Sequence, residues 1–192
     1  MELREQRFGI EIEMTGITRA GAAKVAATYF GTRSEYVGTY YQTYAAVDQE
    51  GRQWKFMSDG SIRAEKKVNG EKRAAGAVYR TEMVSPICRY EDIEKIQELI
   101  RELKKKGAIV NESCGIHVHI DASPFDAGKL RNLTNIMAAK EDLIYKALGV
   151  SVERQHRWCR PVEERFLEEL NRRRPTSMEA VEEIWYNGRS RR

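Results

Sequence analysis

Two short stretches of the chain alternate apolar and polar residues with a period of two. In Phe8-Gly9-Ile10-Glu11-Ile12-Glu13-Met14, one face of an extended strand would carry Ile10, Ile12 and Met14. The other would carry Glu11 and Glu13. In Cys114-Gly115-Ile116-His117-Val118-His119-Ile120-Asp121, the apolar set Ile116, Val118 and Ile120 opposes His117, His119 and Asp121. The intervening chain changes period. Thr18 offers an N-cap, Ala22, Val25, Ala26 and Tyr29 follow at helical spacing, and Gly31 supplies a stop. Residues 35–47 are rich in Tyr, Thr and Val and predict strand. Asp48-Gln49-Glu50-Gly51 predicts a turn, and Gln53–Met57 the returning strand of a hairpin.

Farther on, the polar segment 64–76, with Asn69-Gly70 inside it, predicts a flexible loop or a hairpin tip. Residues 77–84 predict a strand closed by Ser85-Pro86. Tyr90 to Lys106 carries one apolar stripe, Ile93, Ile96, Leu99, Ile100 and Leu103, and ends at Gly107. Ser123-Pro124-Phe125-Asp126 has the form of a capping box opening a helix that runs to about Leu148. That helix is apolar on more than one side and is expected to be buried. Pro161 opens a helix holding Phe166, Leu167 and Leu170, and a shorter one follows Pro175. Strands mixed with helices, and hairpins in place of strict βαβ alternation, predict an α+β fold with a curved, largely antiparallel sheet packed with helices.

Composition narrows the class. At 192 residues the chain is expected to form one domain over 1–188, with 189–192 as a basic tail. Such a chain buries about 70% of its unfolded surface. Net charge is only +4, although arginines crowd the C-terminal part at Arg172–Arg174 and in the tail. A solvated surface accounts for them, and a phosphate-rich partner is the alternative. Three widely spaced cysteines without a C-x-x-C argue against a disulfide framework or thiolate zinc site and fit a reducing compartment. The charged N-terminus lacks an apolar signal region, and no run approaches the ~18 apolar residues of a membrane span. A cytoplasmic protein with no membrane partner is expected.

Alternating glutamates are often only the wet face of a strand. Here Glu82 lies on a predicted strand too, and two of the three histidines share one strand face. Glu11, Glu13, Glu82, His117 and Asp121 could line one cavity. Carboxylate oxygens suit Mg²⁺ or Mn²⁺, and imidazole tilts the preference toward Mn²⁺ or Zn²⁺. Asp59-Gly60-Ser61 is either a plain turn or a polar loop at the site rim. Cys114 and His117 point to opposite faces of a strand, so Cys114 is expected to be a small buried hydrophobe rather than a nucleophile. Arg154, Arg157 and Arg160 flank Trp158, as exposed helix-edge charge or as phosphate contacts. No P-loop and no G-x-G-x-x-G is present.

In order along the chain, Phe8-Gly9-Ile10-Glu11-Ile12-Glu13, Asp59-Gly60-Ser61, Glu82-Met83-Val84-Ser85-Pro86 and Cys114-Gly115-Ile116-His117-Val118-His119 resemble the amidoligase family. That family belongs to the carboxylate–amine ligase superfamily, with glutamine synthetase and glutamate–cysteine ligase. The resemblance covers roughly residues 6–187. It implies a glutamine-synthetase-like curved sheet whose concave face binds ATP and two or more Mg²⁺ or Mn²⁺ ions. By that likeness Glu11, Glu13, Glu82 and His117 are the catalytic metal ligands and His119 contacts phosphate. Asn111 and Gly115 border the carboxylate-substrate pocket, with Asp59 and Ser61 at its rim. Arg154, Arg157 and Arg160 lie near the phosphates.

The implied activity is an ATP- and metal-dependent carboxylate–amine ligase. It would join small-molecule or peptide carboxylates to amines through an acyl phosphate. The resembled family continues past Trp185-Tyr186-Asn187-Gly188 into further strands, so the expectation is either a shortened chain or a partner, a second chain that supplies the missing strands. Three rival readings stand beside it. One is a catalytically weak, truncated ligase fold that only binds. Another is a metal-dependent hydrolase using His117 and Glu11. The third is a nucleic-acid binder working through its arginines, which the near-neutral charge of the rest opposes.

Overall fold

A computed structural model describes residues 2–186. The expected basic tail, 189–192, lies outside the described residues. The chain divides into two compact units, the first ending at Asp121 and the second beginning at Ala122. The fold is α+β. Among the described residues there are six α-helices and an open six-stranded antiparallel sheet. None of the helices is long and apolar enough to cross a membrane.

The first unit is built on that sheet. Its strands are β1 (Phe8–Met14), β2 (Ser34–Gly38), β3 (Thr43–Val47), β4 (Gln53–Met57), β7 (Thr81–Val84) and β8 (Ile116–Ile120), in the spatial order β2-β3-β4-β7-β1-β8. A separate hairpin is formed by β5 (Glu65–Val68) and β6 (Glu71–Ala74). Two helices accompany the sheet, α1 (Arg19–Phe30) and α2 (Asp92–Lys105). The start of α1 is fixed by the Thr18 hydroxyl, which accepts from the Gly21 N–H at 3.1 Å. Its end is fixed by Gly31 in the left-handed conformation, φ 68°. Ala22, Ala23, Ala26 and Ala27 give it a flat buried face. That lets it approach the sheet closely, over Ala46, Trp54, Phe56 and Met83. The stripe of α2 adds Ile96, Leu99 and Leu103 to the same core.

An ion network closes the far side of this core. Arg52 donates to Asp92 at 2.7 and 2.8 Å and to Asp48 at 2.9 Å, and the buried Trp54 indole donates to Asp48 at 3.1 Å. Hydrogen bonds from Arg52, Lys95 and the Arg89 N–H outweigh burial and hold the Asp92 carboxyl well below the usual range.

Several element expectations are corrected. The stretch 35–47 is two strands, because Thr39 and Gln42 adopt positive φ and turn the chain between them. Residues 77–79 form a 3₁₀ turn and only Thr81–Val84 pairs. Of the two options for 64–76, the hairpin is present. Asn69 and Gly70 both have positive φ, as a tight two-residue hairpin turn needs.

The second unit holds α3 (Ala127–Leu148), α4 (Val152–Arg157), α5 (Glu164–Arg173) and α6 (Met178–Tyr186). Asp126, and not Ser123, caps α3. Its Oδ1 accepts from the Lys129 N–H at 2.8 Å, so the cap falls three residues later than expected. Ala127, Leu170, Val181 and Ile184 form the core of this unit. The expected burial of α3 is not found. Ala127 is its one buried residue, and Leu133, Ile136, Met137, Leu143 and Leu148 are exposed. The short α4 leaves no signal in the sequence, because six residues are too few to show a period.

Candidate functional site

Strand β1 lies between β7 and β8, so three strands present their polar positions side by side. In the register Glu11 is opposite His117, Gly9 opposite His119, and Glu13 opposite Glu82. Alternation then fixes the rest. Glu11, Glu13, Glu82, His117 and His119 share one face, while Ile10, Ile12 and Met83 pack into the core. Two strands 106 residues apart in sequence thus bring a carboxylate and an imidazole into contact. His117 Nδ1 is 3.0 Å from Glu11 Oε2, and His119 Nε2 is 3.3 Å from Glu11 Oε1.

The carboxylates differ in surroundings. Burial raises the Glu11 carboxyl, but hydrogen bonds and charge from His117 and His119 overcome it and leave Glu11 below its ordinary value. Glu13 is 5% exposed and clamped by one glycine. The Gly115 N–H donates to Glu13 Oε2 at 2.7 Å, and the Glu13 N–H donates to the Gly115 carbonyl at 3.0 Å. Glu82 is buried and is pushed up to about 7. Desolvation is the main cause, and the charges of Glu11, Asp59 and Glu13 add to it. A buried carboxylate crowded by three others, with His117 offsetting only part of the repulsion, is an arrangement that a divalent cation would relieve.

The donor sets fit such cations. Glu11, Glu82 and His117 each offer a ligand atom within 4.8 Å of the others, and so do Glu13, Asp59 and Glu82. Glu82 belongs to both groups. Oxygen-rich sets with one imidazole suit Mg²⁺ or Mn²⁺. Asp59, expected at the substrate rim, stands among the carboxylates. No motif distinguishes it from a turn aspartate, and its Oδ1 does accept from the Ser61 N–H at 2.6 Å. Ser61 is exposed on that turn.

Asn111 uses its side chain on the protein. Its Oδ1 accepts from the Ser113 N–H at 3.0 Å and from the Ser113 hydroxyl at 2.6 Å. Its Nδ2 donates to the Arg63 carbonyl at 2.9 Å. This shapes the 111–115 loop that delivers Gly115 to Glu13. Cys114 is partly exposed rather than buried, its Sγ 3.7 Å from Asn111 Oδ1. Asp121 pairs with Arg7 at 2.6 Å at the end of β8. Arg154 and Arg157 are on α4 and Arg160 follows it, all in the second unit. Arg157 stacks over Trp158 at 5.2 Å, and Arg160 Nε donates to the His156 carbonyl.

A family model described as "Putative amidoligase enzyme" matches residues 4–192 and so spans both units. No curated protein and no solved structure matches the chain. With nearly its whole length matched, the chain belongs to the amidoligase family, a family of amide-forming ligases.

Proposed function

We propose that the chain is an ATP- and divalent-cation-dependent carboxylate–amine ligase working through an acyl phosphate. The reading rests on one observation. Four carboxylates and an imidazole crowd one sheet face in two overlapping donor sets, and Glu82 is raised to about 7 at their junction.

A carboxylate is a poor electrophile, and joining it to an amine in water is uphill. In the proposed reaction an oxygen of the acid attacks the γ-phosphorus of ATP and ADP leaves. The amine then attacks the acyl carbon, the acyl C–O bond breaks with its electron pair leaving on phosphate, and the amine's proton passes to solvent. Glu11, Glu82 and His117 would hold one cation, and Glu13, Asp59 and Glu82 a second. Bound there, Mg²⁺ or Mn²⁺ would neutralise phosphate charge and act as a Lewis acid. The protein's own part is to fix the donors. Gly115 fixes one oxygen of Glu13, and His119 steadies the Glu11 oxygen that His117 does not touch. His119, with its second nitrogen, is the proposed phosphate contact on this face.

Titration with a slowly hydrolysed ATP analogue tests this. Binding is expected with Mg²⁺ or Mn²⁺ present, to be weak without them, and to fall at least tenfold in Glu11→Gln/Glu13→Gln. Cation-independent binding, or binding indifferent to the double substitution, would overturn it. Product released from an ester without nucleotide would favour the hydrolase.

A further inference from the structure

The β5–β6 hairpin is not used by the proposed chemistry, yet its root is fastened to the loops around the site. The Gly16 N–H and the Thr15 hydroxyl both donate to the Glu65 carbonyl at 2.8 Å, one residue or two beyond β1. The Arg63 N–H donates to Ser113 Oγ at 2.8 Å, and Lys72 Nζ donates to the Val110 carbonyl at 2.8 Å, on the segment leading to Gly115. Asp59 lies six residues before β5.

Beyond this root the hairpin carries an unfavourable pattern. Its register sets Lys66 opposite Arg73 and Lys67 opposite Lys72. Cations directly opposite each other destabilise a two-stranded ladder. All four are exposed, and of the four only Lys72 fastens the hairpin, through its bond to the Val110 carbonyl. Relief is partial. Lys66 lies 5.7 Å over the Tyr79 ring and Arg73 pairs with Glu71 at 2.8 Å, while Lys67 has no ion-pair partner among the described residues.

The two pairs occupy opposite faces, because consecutive strand residues point to opposite sides. One small anion can touch only one of them. A peptide laid along an open edge of the hairpin alternates its side chains with the same period of two, so consecutive acidic residues reach both faces. The outer edge of β6 has no strand paired to it among the described residues, whereas on β5 the Glu65 N–H and carbonyl are already bonded to Thr15 and Gly16, so β6 is the open edge.

We propose that the β5–β6 hairpin docks an acidic peptide segment of a substrate, pairing with its backbone and matching its carboxylates to Lys66, Lys67, Lys72 and Arg73. The docking stands on the hairpin's geometry. Only its purpose, delivering a peptide acid or amine to the carboxylate face, rests on the ligase reading.

The test uses the full chain and a fluorescently labelled hexaglutamate peptide, without nucleotide or added cation, so that its result is independent of catalysis. Anisotropy should show binding that weakens as salt rises. Lys67→Glu/Lys72→Glu and Lys66→Glu/Arg73→Glu should each weaken it at least tenfold. Lys67→Thr should weaken it as well while raising the melting temperature, since it removes the like charge opposite Lys72, adds a strand former and leaves the Lys72 bond to Val110 in place. Free glutamate at equal carboxylate concentration should not compete. Unchanged affinity in the reversal variants, equal competition by free glutamate, or tighter binding of an oligonucleotide of the same charge would each overturn the proposal. Loss of peptide binding with Mn²⁺ binding intact would separate this site from the carboxylate face.

Discussion

Glu82 is the residue on which the candidate site turns. Burial and three neighbouring carboxylates raise its pKa to about 7, so the folded state favours the protonated form more than the unfolded chain does. The stability this contributes is complete below the usual carboxylate pKa and is lost as pH rises through about 7. The effect is on the order of 3 kcal/mol, because each tenfold change in proton affinity corresponds to about 1.4 kcal/mol. Glu82→Gln should therefore melt higher than the parent at pH 8, and that advantage should shrink toward pH 5. Adding Mn²⁺ at pH 8 should raise the parent's melting temperature and barely move the variant's. Equal pH profiles for the two proteins in the absence of cation would remove the basis for placing a cation at Glu82. The neighbouring donors show which residues can be read from sequence. Glu11, Glu13, His117 and His119 betray themselves by strand alternation. Asp59 does not, because an Asp-Gly-Ser turn has the same letters whether it faces a cation or water. Asn111 is placed beside the substrate pocket by the family resemblance alone, and the letters do not show the hydrogen bonds it makes to Ser113 and Arg63.

Among the elements, the junction after β1 decides whether β8 can reach it. Gly16 has φ +80°, and a Cβ there would meet the Gly107 carbonyl at 2.4 Å and Ile109 Cγ1 at 2.8 Å. The Thr15–Ile109 bridge, 2.8 Å in each direction, depends on that close approach and starts the chain toward the imidazoles. Gly16→Ala should lower stability by about 2 kcal/mol or more in urea unfolding. Gly31→Ala, with open space around its Cβ and only the φ penalty, should cost about 1 kcal/mol. Equal losses would mean that the approach to Gly107 is not the constraint. The elements themselves are mostly legible. Periods of two and 3.6, with Thr18, Gly31 and Asn69-Gly70 as punctuation, locate β1, α1, α2, the β5–β6 turn and β8. The exposure of α3 is not legible, because apolar letters on several sides do not reveal whether anything covers them. Nor is its cap, because Ser123 and Asp126 are both competent and only the backbone decides between them.

At the scale of the whole molecule, sheet order is what sequence could not supply. Nothing in the letters says that β1, the first strand, ends up between β7 and β8. Yet that placement makes one face out of three separate motifs. It also carries a kinetic consequence. Glu11 and His117 meet across a separation of 106 positions, whereas β2, β3 and β4 pair with their sequence neighbours. Loop-closure entropy must be overcome before β8 docks, so the local hairpins can form first and the donor set that includes His117 last. During synthesis the set of Glu11, Glu82 and His117 cannot exist until β8 has been made, whereas the residues of the other set, Glu13, Asp59 and Glu82, are made earlier. A cation held by Glu11, Glu82 and His117 would then stabilise the native state but not the transition state. In stopped-flow experiments Mn²⁺ should slow unfolding and leave the refolding rate unchanged. Faster refolding with Mn²⁺ would show that β1 and β8 are already paired at the barrier. The contact of Glu11 with His117 is, in this sense, the last thing the sheet learns to make.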